Sequence, residues 1–506
     1  MWVARCSSEI GNMRSIVKTQ SFTESERILA KLAEKAFLTL WAFPNVYKDE
    51  GITKGQGEEL CDLLVVFGDH VIIFSDKGEV TYKPTEDVKV GWGRWVKRAY
   101  LKSAYQVYQA EKWIREFPKR IFLDNKCKLP FPVAFPPTDR MKIHRVVVVR
   151  GITEAASKFY DDDSGTLMLR PDIQGDEHLH TPFFIGRPSS DRGYVHLFDE
   201  VSIDDIFGEL DTITDFTTYL SAKEEFIDGR NLLVAPGEDN LLGYYLSSYE
   251  DSKNKGTPYF IRPPGNDKVA VAPGYFNSVK SSDVYLQMRS MKLPSYFWDK
   301  CIETMGSAAF TGTWWETNGT TYDEEITVLR YMASEHRIAR AALSFAVCEI
   351  LNRPFPDTEK LPRVRVITSP TSPNIAYVWM VLPRTPELSD YERYREVRKN
   401  LLAQYCYACK DACPNHNIIV GVACDAINHE GASEELIYVH TDEWSEAEYT
   451  EAKRIRRELG LFKNVISSRL TYEQSGDKNE VRPVRKITAR AKQKVKRKAQ
   501  KRNRRK

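Results

Sequence analysis

The 506-residue chain is long enough for two to four domains whose cores need no disulfide or metal staples, and 42% hydrophobic with 28% charged residues marks it as globular. No stretch approaches 18 uncharged apolar residues, residues 1–20 carry Arg5, Glu9, Arg14 and Lys18 instead of an apolar signal-peptide core, and the nine cysteines are an odd, sparse set, so the expectation is a cytoplasmic protein with no membrane span and no secreted disulfide framework. The net charge of +3 hides an asymmetry: residues 481–506 hold 14 Lys/Arg and no Asp/Glu, which leaves 59 basic against 70 acidic residues in the rest, a net of −11.

Apolar Ile28, Leu29, Leu32, Ala36 and Leu40 lie near helical spacing and predict an amphipathic helix over 21–41, capped by Thr23 or Ser21. Residues 45–48 are expected as a short strand. Two apolar, β-branched runs, 60–67 (LCDLLVVF) and 70–77 (HVIIFSDK), flank Gly68-Asp69 and predict a β-hairpin. A second helix is expected over 94–116, then strands at 120–123 and 143–150 (IHRVVVVR), with the proline-rich 129–137 between them a loop. The order over 20–150 is α-β-β-β-α-β, an α/β fold. Residues 151–300 read as an α+β region, with a strand at 194–198 and a helix over about 202–226. Residues 301–480 read as helical, then α+β, with strands at 417–424 and 436–440 and a helix after Glu443. No motif gives residues 151–480 a role, and a protein partner or activator would bind there. The basic segment 481–506 is expected to be a disordered tail.

The hairpin carries register information. With Gly68 and Asp69 as the loop, paired residue numbers sum to 137, so Asp62 is expected opposite Ser75 and Leu60 opposite Lys77. Alternation then puts Asp62, Ser75 and Lys77 on one face and Asp76 on the other, beside Cys61. An acid and a lysine ending otherwise apolar strands mark a place where a sheet opens into a cleft.

A helix bearing glutamates, a hairpin with Asp on one strand and Lys ending the next, and a later helix with glutamines (YQVYQ) together resemble the PD-(D/E)XK nuclease superfamily, its Mrr-like and nuclease-related branches above all, over about residues 20–150. The whole chain also resembles an uncharacterised bacterial family that shares this N-terminal part. The first resemblance implies a restriction-endonuclease-like αβββαβ core and a metal-dependent nuclease, with DNA favoured over RNA and bacterial defence as the setting by analogy. It implies Mg²⁺ or Mn²⁺ as cofactor, because phosphodiester hydrolysis needs a hard cation on carboxylate oxygens and a nearby cation for the developing charge. Asp62 matches the first metal ligand and Lys77 the lysine. Glu24, Glu26 or Glu34 would be the helix carboxylate, and Gln106 or Gln109 the glutamine. Asp62, Glu34 and Glu59 form the expected metal set, and Asp62, Ser75, Lys77, Glu34 and Gln106 the expected catalytic set. Ser75 stands where the pattern has Asp or Glu, and serine is a poor metal ligand. Three alternatives follow: a helix glutamate supplies the ligand, a β-bulge turns Asp76 into the site, or the site is inactive and the fold is a non-catalytic nucleic-acid-binding scaffold.

Arg94, Lys97, Arg98 and Lys102, next to Trp92 and Trp95, read either as a phosphate-contacting and base-stacking patch or as a solvated helix face over two buried tryptophans. Arg497 and Arg502 in the tail are further expected nucleic-acid contacts, with steep salt dependence. Cys406, Cys409, Cys413 and His416 (CYACKDACPNH) invite a zinc reading, but 406, 409 and 413 share a helix face, and core packing is favoured. A satisfied His196 with a capping Asp199 is favoured over ligation. Asp211 and Asp215 are expected on one helix face. Glu335, His336, Arg337 and Arg340 either grip phosphate or form ion pairs. No Walker A loop, GxGxxG, GxSxG or HExxH is present.

Overall fold

The computed structural model of the chain describes residues 18, 23–78, 80–161, 165–249, 257–311, 321–356, 359–426, 433–463, 468–474 and 481–487. The chain divides into two compact units. The first comprises residues 1–245, 259–276 and 302–330, and the second residues 246–258, 277–301 and 331–506. The expected boundary at residue 150 falls inside the first unit, between strands of one sheet.

In the first unit, α1 (Glu24–Phe37) starts at Thr23, whose hydroxyl accepts the Glu26 N–H while the Glu26 carboxylate accepts the Thr23 N–H. Ser21 lies outside the described residues. Strands β1 (Ala42–Lys48), β2 (Glu58–Phe67) and β3 (His70–Lys77) form an antiparallel meander. The second expected helix is α2 (Val88–Val96), a π-helical stretch over Lys97–Leu101, and α3 (Lys102–Glu116). It leads past β4 (Ile121–Phe122) to β5 (Lys142–Val149), which returns parallel to β3. The α-β-β-β-α-β order is therefore present. Beyond residue 150 come α4 (Thr153–Tyr160), β6 (Met168–Gln174), β7 (Phe184–Arg187) and β8 (Val195–Phe198). Then α5 (Ser202–Glu209), α6 (Ile213–Asp228), β9 (Leu232–Pro236) and β10 (Val269–Ala270) complete the unit's two sheets.

The main sheet has the order β4-β1-β2-β3-β5-β8, with β3, β5 and β8 parallel. A smaller sheet runs β10-β9-β6-β7. On one face of the main sheet, Phe37 of α1, Phe74 of β3, Phe207 of α5 and Phe216 of α6 pack ring on ring. On the other face, Arg145 of β5 forms a two-pronged ion pair with Glu111 of α3 at 2.5 and 2.6 Å. Tyr100 and Tyr108 donate to the carbonyls of Gly186 and Gly193, both at 2.8 Å. The helix expected over 202–226 is two helices, because Thr212 caps α6 through the Asp215 N–H. Asp211 therefore precedes α6, and the expected shared face with Asp215 is not formed.

The second unit contains a four-stranded sheet, in order Arg363–Thr368, Ile375–Leu382, Ile418–Asp425 and Glu434–His440. Helix Tyr391–Ala412 links the two central, parallel strands. Cys406 and Cys409 on it are buried against Ala376, Met380, Leu402 and Ile419, so they are core residues. His416 meets the Thr368 hydroxyl at 2.9 Å. Glu335, Arg337 and Arg340 are buried and internally satisfied. Asp299 accepts from Arg337 at 2.5 Å and Arg340 at 2.6 Å, and Glu335 accepts from the Tyr377 hydroxyl at 2.8 Å. A phosphate grip by these arginines is thereby overturned. Ser468–Gln474 and Val481–Ile487 form an antiparallel pair, so the first residues of the basic segment are a strand. Residues 488–506, with Arg497 and Arg502, lie outside the described residues. No helix among the described residues is long and apolar enough to cross a membrane.

Candidate functional site

The hairpin register is as expected from Phe67–His70 to Leu63–Phe74, and there the pairing ends. Asp62 does not pair with Ser75. Its Oδ2 accepts the backbone N–H of Asp76 at 2.5 Å. β3 itself stays regular, paired with β5 residue for residue from His70 to Lys77, so no bulge rotates Asp76. Asp76 keeps the face that alternation gives it, the one covered by α1, where its Oδ1 accepts from the Ser25 hydroxyl at 2.6 Å and the Gly78 N–H at 2.8 Å.

The bulge lies on the neighbouring strand. β1–β2 pairs sum to 107 from Ala42–Val65 to Val46–Cys61, then to 106 at Tyr47–Glu59, so Leu60 is the extra residue. The shift by one flips the alternation and sends Glu59 to the side of Asp62. Without it Glu59 would follow Cys61 to the other face.

The electrostatics join these residues into one cluster. Burial raises the Asp62 carboxyl to about 6, with Glu26 and Asp76 adding to the rise and Lys77 and the Asp76 N–H opposing it. Partial desolvation of the Glu59 carboxyl, reinforced by Asp62 and Glu26, raises it to about 7 against the pull of Lys77. Burial likewise raises Asp76, opposed by Ser25, the Gly78 N–H and Arg150. Arg150 follows the last residue of β5, and its Nε donates to the Ser25 hydroxyl at 2.9 Å. Asp76 Oδ2 and Arg150 Nη2 are buried without a hydrogen-bond partner among the described residues. Buried charged atoms of this kind call for a water, an ion or a ligand, and Glu200 Oε2 and Asp239 Oδ1 of the same unit share this state. Glu59 also lines a cleft of about 730 Å³ with Tyr47, Lys54, Gln56, Asn125 and Lys126.

Of the expected residues, Asp62, Lys77 and Glu59 act on one another, and Glu26 is the α1 carboxylate that acts on Asp62 and Glu59. Glu34, two turns further along α1, is set beside Lys18 and is not among the charges that act on Asp62. Gln106 and Gln109 are exposed on α3, and Ser75 is buried. Asp76, Ser25 and Arg150 complete the cluster. Ser25 and Arg150 carried no sequence signal, because their contact spans 125 positions.

Glu26, Glu59, Asp62 and Asp76 act on one another's ionisation, burial holds the last three above their ordinary range, and one buried Asp76 oxygen is orphaned. Their oxygens do not form a ready-made ligand set: among the described residues, the acidic, histidine and cysteine side chains that bring three potential ligand atoms within 4.8 Å of one another are His144, His196 and Glu224. The site lies at the carboxyl ends of β3 and β5, beside the point where the sheet turns from antiparallel to parallel.

Trp92 and Trp95 are buried, and their indole N–H groups donate to the carbonyls of His178 at 2.6 Å and Val80 at 3.0 Å, so base stacking on them is overturned. Arg94, Lys97, Arg98 and Lys102 are exposed and form no ion pair among the described residues.

The chain matches no protein-family model, no curated protein and no solved structure.

Proposed function

We propose that the first unit is a metal-dependent phosphodiesterase acting on nucleic acid, DNA foremost, with a PD-(D/E)XK-like site. The observation that carries this reading is the mutual electrostatic influence of Glu26, Glu59, Asp62 and Asp76, with Lys77, where β3 ends, together with an Asp76 carboxylate oxygen that is buried without a partner among the described residues. Glu59, Asp62 and Asp76 would hold Mg²⁺ or Mn²⁺, with Glu26 beside them. The ion would neutralise phosphate charge and acidify a water.

The protein's own residues do the rest. The Asp76 N–H fixes the Asp62 carboxylate, and the Thr23 cap fixes Glu26. Lys77 puts positive charge beside Asp62 and Glu59, where negative charge would grow on the phosphate. Arg150 offers an unused N–H from a buried guanidinium, suited to a phosphate oxygen. The exposed cations on α2, the π-helical stretch and α3 supply sequence-independent attraction to a polyanion. The eight described cysteines form no disulfide, which supports a reducing, cytoplasmic setting.

A second reading, a non-catalytic nucleic-acid-binding scaffold, is favoured by Ser75, which is buried and gives the site no carboxylate.

The test is incubation of the full chain with plasmid, linear duplex, single-stranded DNA and RNA, with Mn²⁺ or with EDTA, beside Asp62→Ala and Lys77→Ala. Metal-dependent cleavage lost in both variants is expected. Cleavage unchanged in the variants would overturn the site, and salt-sensitive binding without cleavage would favour the scaffold.

A further inference from the structure

A second constellation lies at the other end of the same strands. His70 opens β3, His144 is the third residue of β5 and His196 the second of β8. The parallel register and strand alternation put all three on the face covered by α6, which supplies Glu224. One oxygen of Glu224 lies 2.9 Å from both His144 Nδ1 and His196 Nε2. Potential ligand atoms of the three residues all fall within 4.8 Å of one another. His70 Nδ1 meets His144 Nε2 at 2.9 Å, with the two rings stacked.

We propose that His144, His196 and Glu224 form a binding site for a divalent transition-metal ion, zinc foremost, separate from the carboxylate cluster. Two imidazole nitrogens and a carboxylate are a three-ligand donor set that zinc takes with its fourth position open. A hard cation such as Mg²⁺ prefers oxygen alone. The donors are pre-aimed, since the two histidines already converge on one carboxylate oxygen. His144 and His196 are fully buried, whereas the Glu224 side chain is 24% exposed, so the ion enters from the Glu224 side and its open position faces there.

The surroundings fit the task. His70 works as the outer partner. When His144 binds through Nδ1, its proton sits on Nε2 and His70 Nδ1 accepts it, which fixes the ring and its tautomer. His196 presents Nε2 to the Glu224 oxygen, and its Nδ1 is buried without a hydrogen-bond partner among the described residues.

The test loads the EDTA-stripped full chain with Zn²⁺ or Co²⁺, removes free metal by gel filtration, and measures metal content and the visible d–d absorption of Co²⁺. One ion per chain is expected, retained in Asp62→Asn and weakened at least about tenfold in His196→Ala and Glu224→Gln. The near-isosteric Glu224→Gln carries the test if His196→Ala fails to fold. No bound zinc and no Co²⁺ absorption in the unaltered protein would overturn the proposal and leave a neutral hydrogen-bonded chain. Metal content unchanged in both variants would overturn it as well, by placing the ion elsewhere.

Discussion

The carboxylate of Asp62 takes the backbone N–H of Asp76 at 2.5 Å, across the point where the hairpin ladder has just ended. This bond replaces the Asp62–Ser75 pair that regular alternation demands. It ties two acids on opposite faces of a sheet into one cluster, and the cost of that crowding is measurable.

Asp62 and Glu59 titrate near 6 and 7 in the folded chain, above the ordinary carboxylate range. The folded state then binds more protons than the unfolded state between about pH 4 and 7, so these groups contribute most below pH 4 and their contribution is lost as pH rises through 6 and 7. Asp62→Asn is expected to stabilise the metal-free protein at pH 8 by on the order of 1–2 kcal/mol. Mg²⁺ or Mn²⁺ should raise the melting temperature of the unaltered chain and not of Asp62→Asn. Thermal melts with and without metal at pH 5 and pH 8 check both statements.

Gly78 has no side chain because Ser25 occupies the space. A Cβ there would stand 2.1 Å from the Ser25 hydroxyl oxygen and 3.1 Å from Asp76 Oδ1. Gly78→Ala is expected to push Ser25 off Asp76, cut metal-dependent turnover at least about tenfold and cost roughly 1–3 kcal/mol of stability. Ser25→Gly/Gly78→Ala makes room again, because the Ser25 Cβ that would stand 2.4 Å away goes with the hydroxyl, and it should recover part of the stability without the full turnover. Turnover equal to the parent in Gly78→Ala would contradict the role given to Ser25.

Arg94, Lys97, Arg98 and Lys102 form an exposed stripe. Replacing all four with alanine is expected to weaken nucleic-acid binding at low salt and lower the slope of log affinity against log salt by about 1 for each phosphate that is no longer neutralised. Melting temperature should not move. An unchanged slope would show that polyanions bind elsewhere.

In the second unit, Asp299→Ala should be severe. It leaves Arg337 and Arg340 buried around a missing anion, a change worth about 3–5 kcal/mol. Urea denaturation monitored by tryptophan fluorescence measures it, aided by the buried Trp298 one position before Asp299.

The meander, the long second helix and the returning strand were legible because each rests on a local pattern: β-branched runs around Gly68-Asp69, helical spacing, and the run IHRVVVVR. Asp62 and Lys77 stood out as charges ending apolar strands. The bulge at Leu60 was not legible, since no glycine or proline marks it, and it alone decides which way Glu59 turns. Glu24, Glu26 and Glu34 stood open as the helix acid, because spacing along α1 alone does not say which turn meets the strand ends. Its capped first turn, not its middle, reaches the strand ends. The Ser25–Arg150 contact and the histidine cluster assemble residues from distant strands, and local pattern carries no trace of such assembly.

The two clusters share strands: His144 lies level with Ile72 of β3 and His196 with Phe74, so both stand only about 12–14 Å from Asp76. Two ions that share one reaction sit about 4 Å apart, so the sites are chemically separate. Their separation is nevertheless under two screening lengths at physiological salt, and buried charges are screened less than exposed ones. A cation at one site should therefore weaken the affinity of the other, and the two titrations would be read as linked curves.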